Sequence, residues 1–403
     1  MLVETPETHI EETFVRLDQK DPSQIVAEVV LSDEASGVPV EFSIPELDVT
    51  VSQETSQEGR ALFRVAAAPE RWSPSNPRIY EVVVSTPHET LRDRIGFRTI
   101  ETRGTEILLN GEPEFLRGIS IHEEAPFGRG RMWNAEDAHT VLQWAKDLGC
   151  NYVRLAHYPH NEFMVREAER MGLLVWAEIP VYWTIHWDNP ETLALATDQL
   201  DAMIRRDRNR ACVILWSVAN ETPVSEARNT FLWSLVDHGR SLDDSRLFTA
   251  AMERGYTDPE TILIDDPLGE SLDVLGCNEY LGWYDGPPDK CDDVTWTCIY
   301  DKPVIMSELG GGALLGHHGA DDHRWTEEYQ DSVYHHQTEM LDRIPFLAGM
   351  SPWILYDFRS PRRLLPEIQD GWNRKGLLSE NGEPKAAFET LRTYYADRAV
   401  ASD

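Results

Sequence analysis

Two glutamates in this chain each close a strand-length apolar run. One run reads Val213-Ile214-Leu215-Trp216-Ser217-Val218-Ala219-Asn220-Glu221, the other Pro303-Val304-Ile305-Met306-Ser307-Glu308-Leu309-Gly310. A buried parallel strand is a continuous apolar run, and a barrel of such strands carries its reactive groups at their carboxyl ends. Two carboxyl groups about 5–5.5 Å apart there, one protonated and one ionised, can cleave a glycosidic bond with retention of configuration. The ionised group attacks the anomeric carbon while the neutral one protonates the departing oxygen. Taken singly, a glutamate at a strand end is more often a solvated or arginine-paired acid than a catalytic one. Arg154 closes another apolar run and is a candidate cation to keep one of the pair ionised, its alternative being a structural ion pair.

Such a pair needs a frame that brings distant strand ends together. Eight runs end at Ser120-Ile121-His122-Glu123, Arg154-Leu155-Ala156-His157-Tyr158, Trp176-Ala177-Glu178-Ile179, Ala219-Asn220-Glu221, Ala250-Ala251-Met252, Asn278-Glu279-Tyr280, Ser307-Glu308 and Trp353-Ile354-Leu355-Tyr356-Asp357. Amphipathic stretches at 135–148, 161–171, 191–208 and 224–239 lie between them, the first opened by the N-cap pattern Asn134-Ala135-Glu136-Asp137. This alternation predicts an α/β fold, a (β/α)8 TIM barrel over 103–403, with Glu221 and Glu308 across its mouth on strands four and seven. Residues 1–102 lack helical periodicity. Ile25–Leu31, Ala61–Val65 and Ile79–Ser85 read as strands of a small all-β, immunoglobulin-like sandwich.

The 403 residues include 37 Lys+Arg against 70 Asp+Glu, a net charge of −33. That charge repels nucleic acid and anionic membranes, so neither is expected as a partner. It also fits a protein kept soluble in concentrated salt, or simply an acidic enzyme. No apolar stretch is long enough to span a bilayer, and the start of the chain lacks a signal-peptide pattern. With Cys150, Cys212, Cys277, Cys291 and Cys298 in no metal spacing, a cytoplasmic protein with reduced thiols is expected. Cys291 and Cys298 fall in a polar region and read as the exposed pair. His317-His318 and His335-His336 read as surface residues, and no metal or cofactor is expected.

Asn220-Glu221, Ser307-Glu308-Leu309-Gly310 and Arg154-Leu155-Ala156-His157-Tyr158-Pro159 resemble glycoside hydrolase family 2, which includes β-glucuronidases, β-galactosidases and β-mannosidases. The resemblance extends through Trp72-Ser73-Pro74, Gly96-Phe97-Arg98-Thr99-Ile100 and Leu116-Arg117-Gly118-Ile119-Ser120-Ile121-His122-Glu123. It implies a retaining exo-β-glycosidase with Glu221 as acid/base, Glu308 as nucleophile and Asn220 on the sugar's 2-hydroxyl. It further implies Tyr280 beside the nucleophile, Trp353 under the sugar ring, and His122 and His157 lining the pocket; core packing is the alternative for Tyr280 and Trp353. Trp283 and Tyr284, on the same loop as Tyr280, suggest a second sugar position.

Asn373-x-Lys375 looks like the motif with which β-glucuronidases hold a sugar carboxylate, and Arg359, Arg362 and Arg363 offer bidentate support. The alternative is a surface loop balancing Glu367 and Asp370. A neutral-sugar β-glycosidase such as a β-galactosidase therefore stays open, as does a carbohydrate-binding protein with a weak catalytic pocket. Family members normally begin with a sugar-binding sandwich ahead of the immunoglobulin-like one. Its absence here leads to the expectation that another chain, as in a homo-oligomer, supplies that wall.

Overall fold

The computed structural model describes residues 4–401. Seven strands open the chain: β1 (Ile10–Leu17), β2 (Gln24–Leu31), β3 (Pro39–Ile44), β4 (Val49–Glu54), β5 (Arg60–Ala66), β6 (Tyr80–Ser85) and β7 (Thr90–Ile95). They form two antiparallel sheets, β1-β2-β5 and β4-β3-β6-β7. Inward side chains such as Val29, Phe42, Phe63 and Val84 make one buried cluster, with the Phe42 and Phe63 rings stacked at 5.6 Å between the sheets. Sheet-on-sheet burial of alternating residues is what holds a sandwich together. β7 carries no apolar signal in its sequence because it is an edge strand, Thr-Leu-Arg-Asp-Arg-Ile, with only Ile95 buried.

Arg98 pins this sandwich to the barrel domain. Fully buried, its guanidinium donates to the carbonyls of Ala211 (3.1 Å), Ser245 (2.9 Å) and Val213 (2.7 Å). Burial lowers its pKa to about 9, and neighbouring Arg246 adds to the effect. Trp72, also fully buried, donates its indole N–H to the Glu169 carbonyl at 3.0 Å.

A short meander, β8 (Ile100–Arg103), β9 (Glu106–Leu109) and β10 (Glu112–Pro113), leads into the barrel. The barrel strands are β11 (Leu116–His122), β12 (Tyr152–Ala156), β13 (Leu174–Glu178), β14 (Val213–Asn220), β15 (Leu247–Met252), β18 (Leu275–Asn278), β20 (Val304–Glu308) and β21 (Leu347–Met350). They pair in parallel and close, Leu116 of β11 facing Gly349 of β21. Every residue of β12, β13, β14, β15 and β20 is buried, which is why these strands read as unbroken apolar runs. Helices α1 (Ala135–Asp147), α2 (Glu162–Met171), α3 (Pro190–Asp207), α4 (Glu226–Leu242), α6 (Glu327–Leu341) and α7 (Ala386–Ala401) ring the barrel. Asn134 caps α1 as its pattern predicts, accepting from the Asp137 N–H at 2.8 Å.

The structure departs from the expected alternation in two places. Between β15 and β20 the long helices are missing. Strands β16 (Gly255–Asp258), β17 (Thr261–Ile264) and β19 (Thr295–Cys298) form a small sheet there, with only the four-residue α5 (Lys290–Asp293). The eighth strand is also Leu347–Met350, not the run at 353–357. Pro352 has no N–H to extend the ladder, so Trp353–Asp357 continues beyond the strand as buried, irregular chain. A two-stranded ribbon comes next, β22 (Phe358–Arg359) with β23 (Trp372–Asn373). No helix among the described residues is long and apolar enough to cross a membrane.

Candidate active site

The carboxyl ends of the barrel strands surround a cavity of about 770 Å³ lined by both Glu221 and Glu308. Its foundation is Arg154, fully buried on β12. One edge of the guanidinium meets Glu178, the last residue of β13, through Nε (3.2 Å) and Nη2 (3.1 Å). Nη1 donates to Glu308 Oε1 at 2.9 Å and Nη2 to Asn220 Oδ1 at 2.8 Å. Burial opposes the cation, yet Glu178 and Glu308 together raise its pKa above the usual arginine value. Burial likewise pushes the Glu178 carboxyl up, but Arg154 and His157 outweigh it and hold it at about 2. Arg154 thus lies behind the cavity wall and does not line it. It orients three strand ends at once.

Glu308 Oε2 accepts a 2.7 Å hydrogen bond from the Tyr280 hydroxyl. Burial, with Glu308 beside it, pushes that phenol well up, so it stays a donor. One oxygen of Glu308 is therefore held by a cation and the other by a neutral donor, an arrangement that fixes the carboxyl group in one orientation. The glycines after it have a different role from the close ligand approach their sequence suggests. A side chain on Gly310 (φ 113°) would strike Tyr334, and one on Gly312 would strike Trp325, so they make room for aromatic packing behind the site.

Glu221 sits one residue past β14 with φ 48°, in the left-handed region, which turns its side chain off the strand line. Its Oε1 accepts from Asn278 Nδ2 at 3.0 Å and its Oε2 from the Trp183 indole N–H at 3.0 Å. Asn278 also donates to Asn220 Oδ1 (3.2 Å), which in turn accepts from Arg154. One hydrogen-bonded chain therefore runs from Glu221 through Asn278, Asn220 and Arg154 to Glu308. The two glutamates thus have unlike partners, neutral amide and indole donors at Glu221 and a guanidinium with a phenol at Glu308.

His122, His157 and Trp353 line the cavity as the resemblance implies. The Trp353 ring stacks on His157 at 4.7 Å, and His122 stacks on Phe358 at 4.3 Å. Burial pushes the His122 imidazole down to about 3, with His157 and His160 contributing, so it faces the cavity neutral.

The lining next to these aromatic residues is cationic. Lys375 is buried and bonds the Tyr284 hydroxyl at 2.5 Å, and burial pushes its pKa down despite that partner. Asn373 Oδ1 accepts the Lys375 backbone N–H (3.1 Å), leaving the amide's NH2 for another partner. The turn holding both depends on Gly376, where a side chain would sit 2.2 Å from the Asp357 backbone N. The neighbouring arginines divide. Arg374 is neutralised by Asp357 and Glu380, and Arg359 by Glu124. Arg362 and Arg363 line the cavity, and neither pairs with Glu367, Asp370 or any other carboxylate among the described residues.

Sequence reasoning missed Glu178, Asn278 and Trp183. Glu178 carried the same signal as the other two glutamates, a carboxyl closing an apolar run, and Asn278 closes the sixth run in the same way. Trp183 lies in the irregular segment after β13, where nothing in the pattern marks it. Cys291 proves buried, not exposed, and Cys298 is half-buried; burial raises the thiol pKa of all five cysteines, that of Cys277 to about 12. The paired histidines face separate acids, His318 with Glu328 and His336 with Asp292. Among the described residues no three metal-binding side chains converge.

Comparison with known proteins agrees with this layout. The family profile described as "Glycosyl hydrolases family 2, TIM barrel domain" matches residues 100–400, and that described as "Glycosyl hydrolases family 2" matches residues 8–98. A β-glucuronidase of Rattus norvegicus is 30% identical over 340 residues, covering 78% of this chain and 49% of that one. A β-glucuronidase of Paenibacillus borealis is 29% identical over 327 residues, covering 75% and 52%. The chain spans about half the length of the curated relatives it matches. Among solved structures, a β-galacturonidase from Eisenbergiella tayi bound to galacturonate aligns with a TM-score of 0.84 at 25% identity, covering 98% of this chain and 73% of that one. A β-glucuronidase from an uncultured Clostridium sp. aligns at 0.81 and 25%, covering 98% and 69%.

Proposed function

The chain belongs to glycosyl hydrolase family 2, and on that premise we propose that it is a retaining exo-β-glycosidase acting on terminal β-hexuronides, β-glucuronides foremost. The observation that carries this reading is the placement of Lys375, Asn373 and Arg363 in the same cavity as Glu221 and Glu308. A carboxylate on the sugar would meet an ammonium and an amide donor in a half-enclosed site, where charge-assisted hydrogen bonds are strong. With the sugar over Trp353, Glu308 attacks the anomeric carbon and Glu221 protonates the leaving oxygen. Glu221 then takes a proton from the water that releases the sugar. Asn220, held by Arg154 and Asn278, supports the 2-hydroxyl. The structural likeness to a galacturonate-bound enzyme favours β-galacturonides as a second reading, which differs only at the 4-hydroxyl.

Side-by-side assay of aryl β-glucuronide, β-galacturonide and β-galactoside decides among these. Hydrolysis of the galactoside alone would overturn the uronide reading. Lys375→Ala is expected to lower kcat/KM for uronides by roughly 10–100-fold, the worth of one charge-assisted contact, and to leave neutral sugars unaffected. Equal losses on both would place Lys375 in a structural role.

Trp183→Phe removes the indole donor from Glu221 and keeps an aromatic ring. Turnover of substrates with poor leaving groups is expected to fall about tenfold. Dinitrophenyl glycosides, which need little proton donation, should be nearly unaffected. A uniform loss across leaving groups would remove Trp183 from the positioning of the acid.

A further inference from the structure

A second, smaller cavity of about 120 Å³ adjoins the catalytic one. Tyr284, Arg363, Asn373 and Lys375 line both, so the 2.5 Å Lys375–Tyr284 contact forms a partition between them. Trp283, Arg324, Trp325 and Gln369 complete the far side.

Two features set this space apart from a packing defect. Arg324 and Arg363 meet no carboxylate among the described residues. Arg324 lies 4.1 Å over the Trp283 ring and donates to the Trp283 carbonyl at 2.7 Å, and Arg363 reaches the Tyr284 hydroxyl at 3.4 Å. Finally, the Trp283 and Trp325 rings, 4.9 Å apart and nearly perpendicular, wall the space with low-dielectric surface that strengthens any ion pair within it.

A lone uronate carboxylate, held at the partition by Lys375 and Asn373, leaves this second space unused. We propose that it takes a second anionic group on the same sugar, carried on the 4-hydroxyl, the ring position next to the carboxylate-bearing carbon. A 4-O-sulfate is such a group, and it leaves the hexuronide terminal as the proposed exo action requires. The preferred substrate is then the end of a multiply charged glycan, not a singly charged conjugate. The proposal rests on the uronide reading above.

The test compares kcat/KM for nitrophenyl β-glucuronide and its 4-O-sulfate. The doubly charged substrate should exceed the simple one by roughly tenfold. Arg324→Ala, which touches only the second cavity, should abolish that gain and leave the unsubstituted glucuronide unchanged. Calorimetry of glucuronic acid and its 4-sulfate on both proteins gives the same comparison without turnover. If no glycoside is hydrolysed, the functional reading fails and the calorimetry still decides the anion site. Inert or non-preferred 4-O-substituted compounds, bound no tighter than glucuronic acid, would overturn the proposal.

Discussion

Replacing Glu308 by glutamine is expected to remove turnover by a factor on the order of 10⁴ or more and to leave sugar binding intact. The amide keeps the shape of the carboxylate, and its oxygen can still accept from Arg154 Nη1, which lies 2.9 Å from Oε1. What it loses is the anionic lone pair that would bond the anomeric carbon. Binding should persist because the proposed contacts to the sugar come from Trp353, Asn220, Asn373 and Lys375, none of which changes. Calorimetry with glucuronic acid checks the binding, and hydrolysis of an aryl β-glucuronide checks the rate. In the unmodified protein, a mechanism-based fluorosugar should leave a glycosyl mass on the peptide containing Glu308. A label on any other carboxyl, or wild-type rates in the glutamine variant, would end the nucleophile assignment.

Arg154→Ala should have the largest effect on stability. The guanidinium is fully buried and serves Glu178, Glu308 and Asn220 together. Removing it leaves two buried carboxylates without their cation, a loss of about 3–5 kcal/mol for breaking such a pair. Urea denaturation at neutral pH reads the loss directly. Its pH dependence adds a second check. The Glu178 carboxyl is held at about 2 in the fold, below its ordinary value of 4.5. Its contribution to stability is therefore complete above about 4.5 and disappears as the pH falls through 2. Without Arg154 that contribution is lost, so the stability gap between parent and variant should be full above about pH 4.5 and narrow as the pH falls toward 2. A stability unchanged within about 0.5 kcal/mol would show that the guanidinium does not hold the site together.

Much of the site was legible because barrel chemistry depends on strand chemistry. A strand buried on both faces must be apolar throughout, so a polar residue closing such a run stands out and lies near the mouth. That logic reached Glu221, Glu308 and Arg154, the family resemblance added Asn220, His157 and Tyr280 at the ends of the same runs, and Glu178 obeys the logic equally. The resemblance put Trp353 in the cavity, but the run logic put it on an eighth strand that ends earlier, at Met350, because a proline's inability to extend the ladder is weaker in the pattern than the apolar run beyond it. The missing helices between β15 and β20 left no trace, since their replacement strands are short and only partly buried.

By itself the sequence determined that two carboxyl groups sit at the ends of distant strands in an acidic α/β protein built on an all-β sandwich and a barrel. Periodicity and apolar runs are local properties, and burial imposes them on the chain wherever it folds. Only the tertiary structure decided which side chains touch. It put Arg154 behind the cavity and not in it, gave Glu221 its Trp183 and Asn278 donors, and sorted one cationic stretch into arginines already neutralised by acids and the Lys375 and Arg363 groups that face the cavity. Those outcomes depend on which acid lies within about 4 Å, the range over which a pair is made or missed. Residues far apart in sequence set that distance, so no local pattern records it.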